Sequence, residues 1–413
     1  MKHTGRSEPD ERPPLQPGAL HAAHAASSPQ PASHDDALHA LLMLRALPAL
    51  GDVRRRALLE EHGSPRSALR AARRMLAGRY DRALIATRAA RVLRSAAQIG
   101  ARIVGIGDAD YPARLLELPD APTVLFVLGA AALFDRPAVA IVGTRRHTAY
   151  GCEVARAIAG PLARAGFAVV SGLAFGIDRC AHEAALEAGG ATIAFIGSGL
   201  DIVYPREHTP LAARIAHAGL IVSEFLPGEP ALRHHFPRRN RLIAAQSLGV
   251  VVVEAPVKSG ALITAQHATD LGREVFAVPG PVGRASSAGT NALLRDGACI
   301  VTEAADVVRE LWAQMRPAHQ SRVRPDRITR TDDSESPADE GARVELNAPA
   351  DLPANVALRA LWRALDVEPR HVDDLARAAG LSYGEALAGL LDLELSDRVR
   401  QVPGQRFARC LVA

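Results

Sequence analysis

The chain has 413 residues, 48% of them hydrophobic and 23% charged, with a formal net charge of only +4. At about 150 residues per domain this length predicts two or three domains. No apolar run approaches the roughly 20 residues of a membrane-spanning helix, and no apolar core or cleavage pattern follows Lys2 and Arg6, so neither a membrane protein nor a secreted one is expected. The cysteines (Cys152, Cys180, Cys299 and Cys410) are scattered without metal-ligand spacing, and reduced thiols in a cytoplasmic protein are the expectation.

Charge is unevenly distributed. Residues 36–100 carry thirteen arginines against five acids, a balance of +8, whereas residues 353–413 carry eight charges of each sign. If the chain binds nucleic acid, the N-terminal and central parts are the candidates and the C-terminal part is not. Only Lys2 and Lys258 are lysines, so Arg is the chain's default cation. An internal Lys258 in that background points to a place where a compact ammonium fits and a planar fork does not; a chance surface lysine is the plain alternative.

In chain order, residues 1–35 are rich in Pro, His, Ala and Ser and read as a disordered tail. Residues 36–100 follow a helical period broken at Leu47–Gly51. Helix, Gly turn and helix beside arginines resemble a SAM or helix-hairpin-helix unit, and a plain helical cap fits the same pattern. Across 101–312 the pattern alternates. Apolar β-branched runs at 124–128, 138–142, 168–170, 191–196, 220–222, 250–253, 275–278 and 300–301 are separated by helical stretches. Continuous apolar strands between helices predict a parallel sheet covered on both faces, a Rossmann-like α/β core. Residues 313–352 read as a linker. Residues 353–413 show three helical patterns and a short hairpin, a winged helix whose neutral charge favours regulatory or protein contacts over groove binding.

Four Gly-rich turns follow predicted strands. They are Gly143-Thr-Arg-Arg146, Ser171-Gly172 through Asp178, Gly197-Ser198-Gly199 through Pro205, and Glu254 through Lys258-Ser259-Gly260. Glycines admit an anion to backbone amides, and the helix N-terminus behind each turn adds positive potential. Tight α/β turns alone would look similar, but four on one sheet edge favour an anion site. Between Phe236 and Arg241 the chain reads Phe-Pro-Arg-Arg-Asn-Arg. Guanidinium forks match phosphate oxygens and an aromatic face stacks a base. The first turn lacks the dinucleotide G-x-G-x-x-G spacing, and no Walker A motif or nucleophile elbow occurs. Asp178 and Asp201 read as helix caps or loop anchors, with an acid–base pair as the alternative. His234 and His235 have no cluster of metal ligands around them.

Taken together, the 171–178, 197–205, 236–241 and 258–264 runs with Gly289-Thr-Asn-Ala-Leu-Leu-Arg-Asp-Gly-Ala298 resemble the DNA-processing protein A (DprA/Smf) family, over about residues 36–310. The C-terminal winged helix fits that family's usual third domain. The resemblance implies a bacterial cytoplasmic protein that binds single-stranded DNA and loads RecA onto it in natural transformation. It also implies a Rossmann-fold dimer without catalytic turnover, metal or cofactor. By motif, the strand contacts would be Arg145, Ser171, Gly172, Gly197, Ser198, Gly199, Phe236, Arg238, Arg239, Asn240, Arg241, Lys258, Ser259 and Thr264. Near Ala245-Gln246 this chain lacks a Gly common in the family, which should affect packing more than binding.

Two other readings compete. A Rossmann-like nucleotide hydrolase, of the nucleoside-phosphate ribohydrolase type, would use a Pro-Gly-Gly-x-Gly-Thr loop followed by an acid, and the run Pro279-Gly-Pro-Val-Gly-Arg284 departs from it. A winged-helix transcription regulator is disfavoured by the neutral C-terminal segment.

Overall fold

The computed structural model describes residues 34–328 except 49, 78 and 316, and residues 356–365, 370–396, 398–402 and 405–409. Nearly all of the tail, and the linker beyond residue 328, lie outside the described residues. The described residues fall into two compact units, 34–328 and 356–409.

The first unit opens with four helices, α1 His34–Ala46, α2 Asp52–His62, α3 Pro65–Met75 and α4 Arg82–Gln98. An α/β succession follows: β1 Arg102–Gly105, β2 Val124–Gly129, β3 Ala138–Val142, α5 Ala149–Arg164, β4 Ala168–Ser171, α6 Ile177–Glu187, β5 Ala191–Phe195, α7 Thr209–Ala218 and β6 Leu220–Ser223. It continues with α8 His235–Gln246, β7 Gly249–Val252, α9 Gly260–Asp270, β8 Glu274–Ala277, α10 Ala288–Arg295, β9 Cys299–Ile300, α11 Ala304–Trp312 and α12 Pro317–Gln320.

Nine strands form one sheet in the order β1-β2-β6-β5-β4-β3-β7-β8-β9. From β6 to β9 every neighbour pair is parallel, as the apolar runs predict. The outer pair differs: β1 and β2 run antiparallel to their neighbours. A parallel partner needs a crossover, usually helical, and between β1 and β2 the chain supplies only the 3₁₀ turn Ala113–Glu117. Strand β3 has β4 on one side and β7 on the other, so the chain leaves β3 and β7 in opposite directions. This is the topological switch point where α/β sheets bind ligands.

Alternation along β3 sorts its side chains between two cores. Ala138, Ala140 and Val142 join Leu242 and Ile243 of α8 and Ala261 and Ala265 of α9. Val139 and Ile141 face Ile158 and Leu162 of α5 and Ile177 and Ala181 of α6. On that second face, toward β2, the cover changes to the N-terminal helices: Leu41, Leu44, Leu58 and Ile85 share a core with Val124, Phe126, Ala194 and Ile221. Fully burying each such leucine is worth about 1.5–3 kcal/mol, so the four helices are bound into the sheet's own core.

Three particulars differ from the sequence reading. Strand β1 escapes the apolar-run pattern because it begins at an exposed Arg102. The stretch 317–328, assigned to the linker, packs on the core: Val323 is buried and the Arg324 N–H donates to Ala165 O at 2.8 Å. Cys152 and Cys180 are not free thiols but form a disulfide, because α5 and α6 lie side by side and bring their Cα atoms to 5.6 Å. Cys299 remains a thiol.

The second unit contains α13 Val356–Ala364, α14 Val372–Ala379 and α15 Tyr383–Leu395, with β10 Arg370–His371, β11 Val399–Val402 and β12 Arg406–Arg409 in a sheet ordered β10-β12-β11. Gly380, in the left-handed region, ends α14, and a Ser382–Glu385 capping box starts α15, a helix-turn-helix join. Helix α15 carries Glu385, Asp392 and Glu394 and no Lys or Arg.

Candidate nucleic-acid interface

At the switch point the strand ends open onto a cavity of about 710 Å³. The loop after β3 (Gly143–Arg146), Asp178 of α6, Tyr204, Arg233, the first turns of α8 and the Lys258–Gly260 approach to α9 surround it.

Two of these loops are locked together by Glu254. Its backbone carbonyl accepts from the Thr144 N–H at 2.6 Å. Its carboxylate accepts from the Thr148 N–H at 2.9 Å and the Thr148 hydroxyl at 2.8 Å. Thr148 is also the N-cap of α5, accepting from the Gly151 N–H. The Gly176 backbone, at φ 84°, passes so close to Thr144 O that a side chain would collide with it, and only glycine suits such a site.

Helix α8 supplies the cavity's aromatic and its buried cation. Phe236 is half-buried, with the Arg145 guanidinium 4.8 Å from its ring centroid and the exposed Tyr204 ring at 5.7 Å. Arg239 is buried beneath, donating to Gly172 O at 2.5 Å and to Phe195 O. A Cβ on Gly172 would overlap that guanidinium, so this glycine makes room for an arginine. Burial lowers Arg239 to about 10 against the pull of Asp178, which leaves it charged at neutral pH. Asp178 accepts from the Gly172 and Ala174 N–H groups at 3.1 and 3.3 Å. Burial raises its carboxyl above the usual range, opposed by Arg239 and these amides. Among the described lining residues, Arg145, Arg146, Arg233, Arg239 and Lys258 face this single acid.

Asn240 and Thr264 line the cavity by holding the α9 entrance. The Asn240 amide donates to Gly260 O at 3.1 Å, the Thr264 hydroxyl approaches the same oxygen at 3.5 Å, and Ser259 caps α9. Lys258 is exposed at the rim.

The structure therefore brings together Arg145, Phe236, Arg239, Asn240, Lys258, Ser259 and Thr264. It does not bring the remaining expected contacts into the lining. Ser171 and Ser198 are buried and donate to Ile141 O and Ile202 O. Gly197 and Gly199 act through their backbone, the first against His235 Nδ1 at 3.1 Å and the second donating to Glu229 O at 2.8 Å.

Arg238 and Arg241 leave α8 on its other side. Arg241 pairs with the buried Glu224 at 2.8 Å and Asp120 at 2.9 Å. Arg238 pairs with Glu224 at 3.1 Å and with Asp52 of α2 at 2.5 Å. Burial works against the Asp52 carboxylate, but Arg45, Arg238 and Arg55 outweigh it and hold the group below its ordinary range. Arg238 ties α8 to α2, and Arg241 ties it to the loops that hold Asp120 and Glu224. At 100° per residue, positions 238 and 241 share a face that 239 does not. That spacing was visible in the sequence; which face meets the cavity was not.

Sequence reasoning passed over Arg146, Arg233, Tyr204 and Glu254. Arg146, Tyr204 and Glu254 stand inside the Gly-rich turns read from the sequence, which was the signal available; Arg233 lies outside them. For metal chemistry, His147, Cys152 and Cys180 bring three potential ligand atoms within 4.8 Å among the described residues, but the two sulfurs are bonded to each other. The Pro279–Arg284 run is not in the cavity lining, and Val282 there is almost fully exposed.

Comparison with known proteins agrees with this architecture. The model of the family described as DNA recombination-mediator protein A matches residues 102–312, and that of the DprA winged helix domain matches 346–405. The chain belongs to the DprA/Smf family. As a DprA/Smf chain it is 40% identical to Protein Smf of Escherichia coli over 295 residues, 71% of this chain and 74% of that protein. It is 38% identical to Protein Smf of Synechocystis over 314 residues, 73% of this chain and 78% of the relative. The X-ray structure of DNA processing protein A from Streptococcus pneumoniae matches with a TM-score of 0.59 at 35% identity, covering 66% of this chain and 97% of that one.

Proposed function

We propose that the switch-point cavity grips single-stranded DNA and that the protein, a cytoplasmic homodimer, delivers the strand to RecA in natural transformation. In this reading it works without catalytic turnover, metal or cofactor. The observation that carries the reading is a cavity at the sheet's switch point lined by five cations, one of which, Arg145, lies against the half-buried Phe236 ring. Arg145, Lys258 and the loop amides neutralise phosphates, and Phe236 with Tyr204 offers a base a stacking face. Asp178, the acid of the lining, is engaged by backbone amides and by Arg239, a structural use that supports a binding site over an acid–base centre. The family's description as a recombination mediator fits transfer of the bound strand to a recombinase.

The deciding experiment is fluorescence anisotropy with labelled oligo-dT and the matching duplex across a salt series. Tight single-strand binding, with a log–log slope of about −0.7 per neutralised phosphate, is the expected result, followed by RecA loading onto the strand. Duplex preference, or no binding, overturns the proposal and redirects the search to nucleotides.

A further inference from the structure

Outside the cavity, helix α4 carries an exposed run of arginines with no acid on the same helix. This helix buries Ile85, Ala89, Val92 and Ala96 and turns Arg88, Arg91 and Arg94 to solvent. It contains no acidic residue. The nearest acid in sequence, Asp81, is occupied as its N-cap, accepting from the Ala83 and Leu84 N–H groups at 2.8 and 3.0 Å.

Several surface helices of the same chain pair an arginine with an acid within one turn. Arg56 meets Glu60, Arg179 meets Glu183, Arg309 meets Asp306 and Arg377 meets Asp374. On α4 the three guanidiniums succeed one another at i, i+3 spacing with no acid between them, a like-charge arrangement that disfavours the helix. An anion laid along the helix reverses the sign of that interaction. Thr87, Ser95 and Gln98 stand among the arginines. Arg, Ser, Thr and Gln are the residue types that hold phosphate and sugar oxygens. No aromatic anchor of the sort that centres a protein–protein hot spot accompanies them.

We propose that the Arg88–Arg91–Arg94 face is a second, sequence-independent binding site for the sugar-phosphate backbone, holding the stretch of single strand beyond the cavity. It rests on the single-strand reading of the cavity and adds a contact that the cavity motifs do not contain. The three arginines span about 9 Å of helix axis, room for two or three phosphates.

The test compares wild type with the combined Arg88→Ala, Arg91→Ala, Arg94→Ala variant in salt-series anisotropy, using a long oligo-dT and one only long enough to fill the cavity. On the long strand the log–log slope should shrink by about 1.4–2.1, two or three phosphates at about 0.7 each, while the short strand binds as before. The corresponding triple Arg→Lys variant should recover most of the slope. An unchanged slope on the long strand overturns the site and leaves the face to another ligand, such as an acidic protein. Equal loss on both lengths overturns it too, because the effect then runs through the cavity. Wild type failing on both lengths sinks the cavity reading itself, and this site with it.

Discussion

Replacing Arg241 by Ala separates two uses of the Phe-Pro-Arg-Arg-Asn-Arg run. Arg241 is 5% exposed and its partner Glu224 is fully buried, so the substitution removes one cation from a carboxylate that water cannot reach. Breaking a buried pair in this way costs about 3–5 kcal/mol. Glu224 keeps Arg238 at 3.1 Å, which places the expected loss near the lower end, about 3 kcal/mol. Asp120 also loses its partner, but it is partly exposed and adds little. Urea unfolding followed by circular dichroism measures the loss. Oligo-dT anisotropy, under conditions where the variant is fully folded, should give wild-type affinity, because this guanidinium is outside the cavity. Unaltered stability with a tenfold loss of affinity would refute the reasoning and return Arg241 to the DNA surface.

Lys258→Ala, at the exposed rim, should have the opposite profile: single-strand affinity falls by about 1–2 kcal/mol, as for a charge-assisted contact, with no change in urea midpoint. Arg239→Ala should lower both quantities, since its guanidinium also satisfies Gly172 O and Phe195 O. Tyr204→Ala should weaken oligo-dT binding by about 1–3 kcal/mol if its ring stacks a base, and an abasic strand should not register the change. His182 is buried beside Thr192, and burial lowers it to about 3. The unfolded chain protonates this histidine below about pH 6.5 and the folded one does not, so stability falls with acidification by up to about 1.4 kcal/mol per pH unit within that window. A His182→Asn variant should show a flatter melting temperature between pH 6.5 and 4, and an identical slope would remove His182 as the cause. Truncation after residue 328 should leave most single-strand affinity intact. Truncation at 316 should destabilise the core, because it strips away Val323; equal melting temperatures for the two would contradict the packing seen there.

Much of the α/β core was legible because its strands are short apolar runs, four of them followed by Gly-rich turns. All eight of the runs read from the sequence are strands in the structure. Strand β1 was not legible, since a single exposed edge residue and a short antiparallel pairing give it no distinctive period. The winged helix was legible because caps mark its helices: Gly380 closes α14 and the Ser382–Glu385 box opens α15. Within the candidate site, Arg145, Phe236 and Lys258 could be chosen from chemistry alone, being cations and an aromatic beside Gly turns.

The order of apolar runs and Gly turns by itself determined that this chain builds a mostly parallel sheet with Gly-rich loops at one edge, because strand burial and turn geometry depend on residues close together in sequence. Only tertiary structure decided which arginines of one helix meet the cavity and which lock it in place. Asp52, Asp120 and Glu224 lie far apart along the chain and become one charge cluster around Arg238 and Arg241 only in the folded chain. The same holds for Cys152 and Cys180, joined by the packing of two helices. A guanidinium's role follows from the carboxylate or solvent it faces, and that neighbour is chosen by packing between elements that no local pattern records.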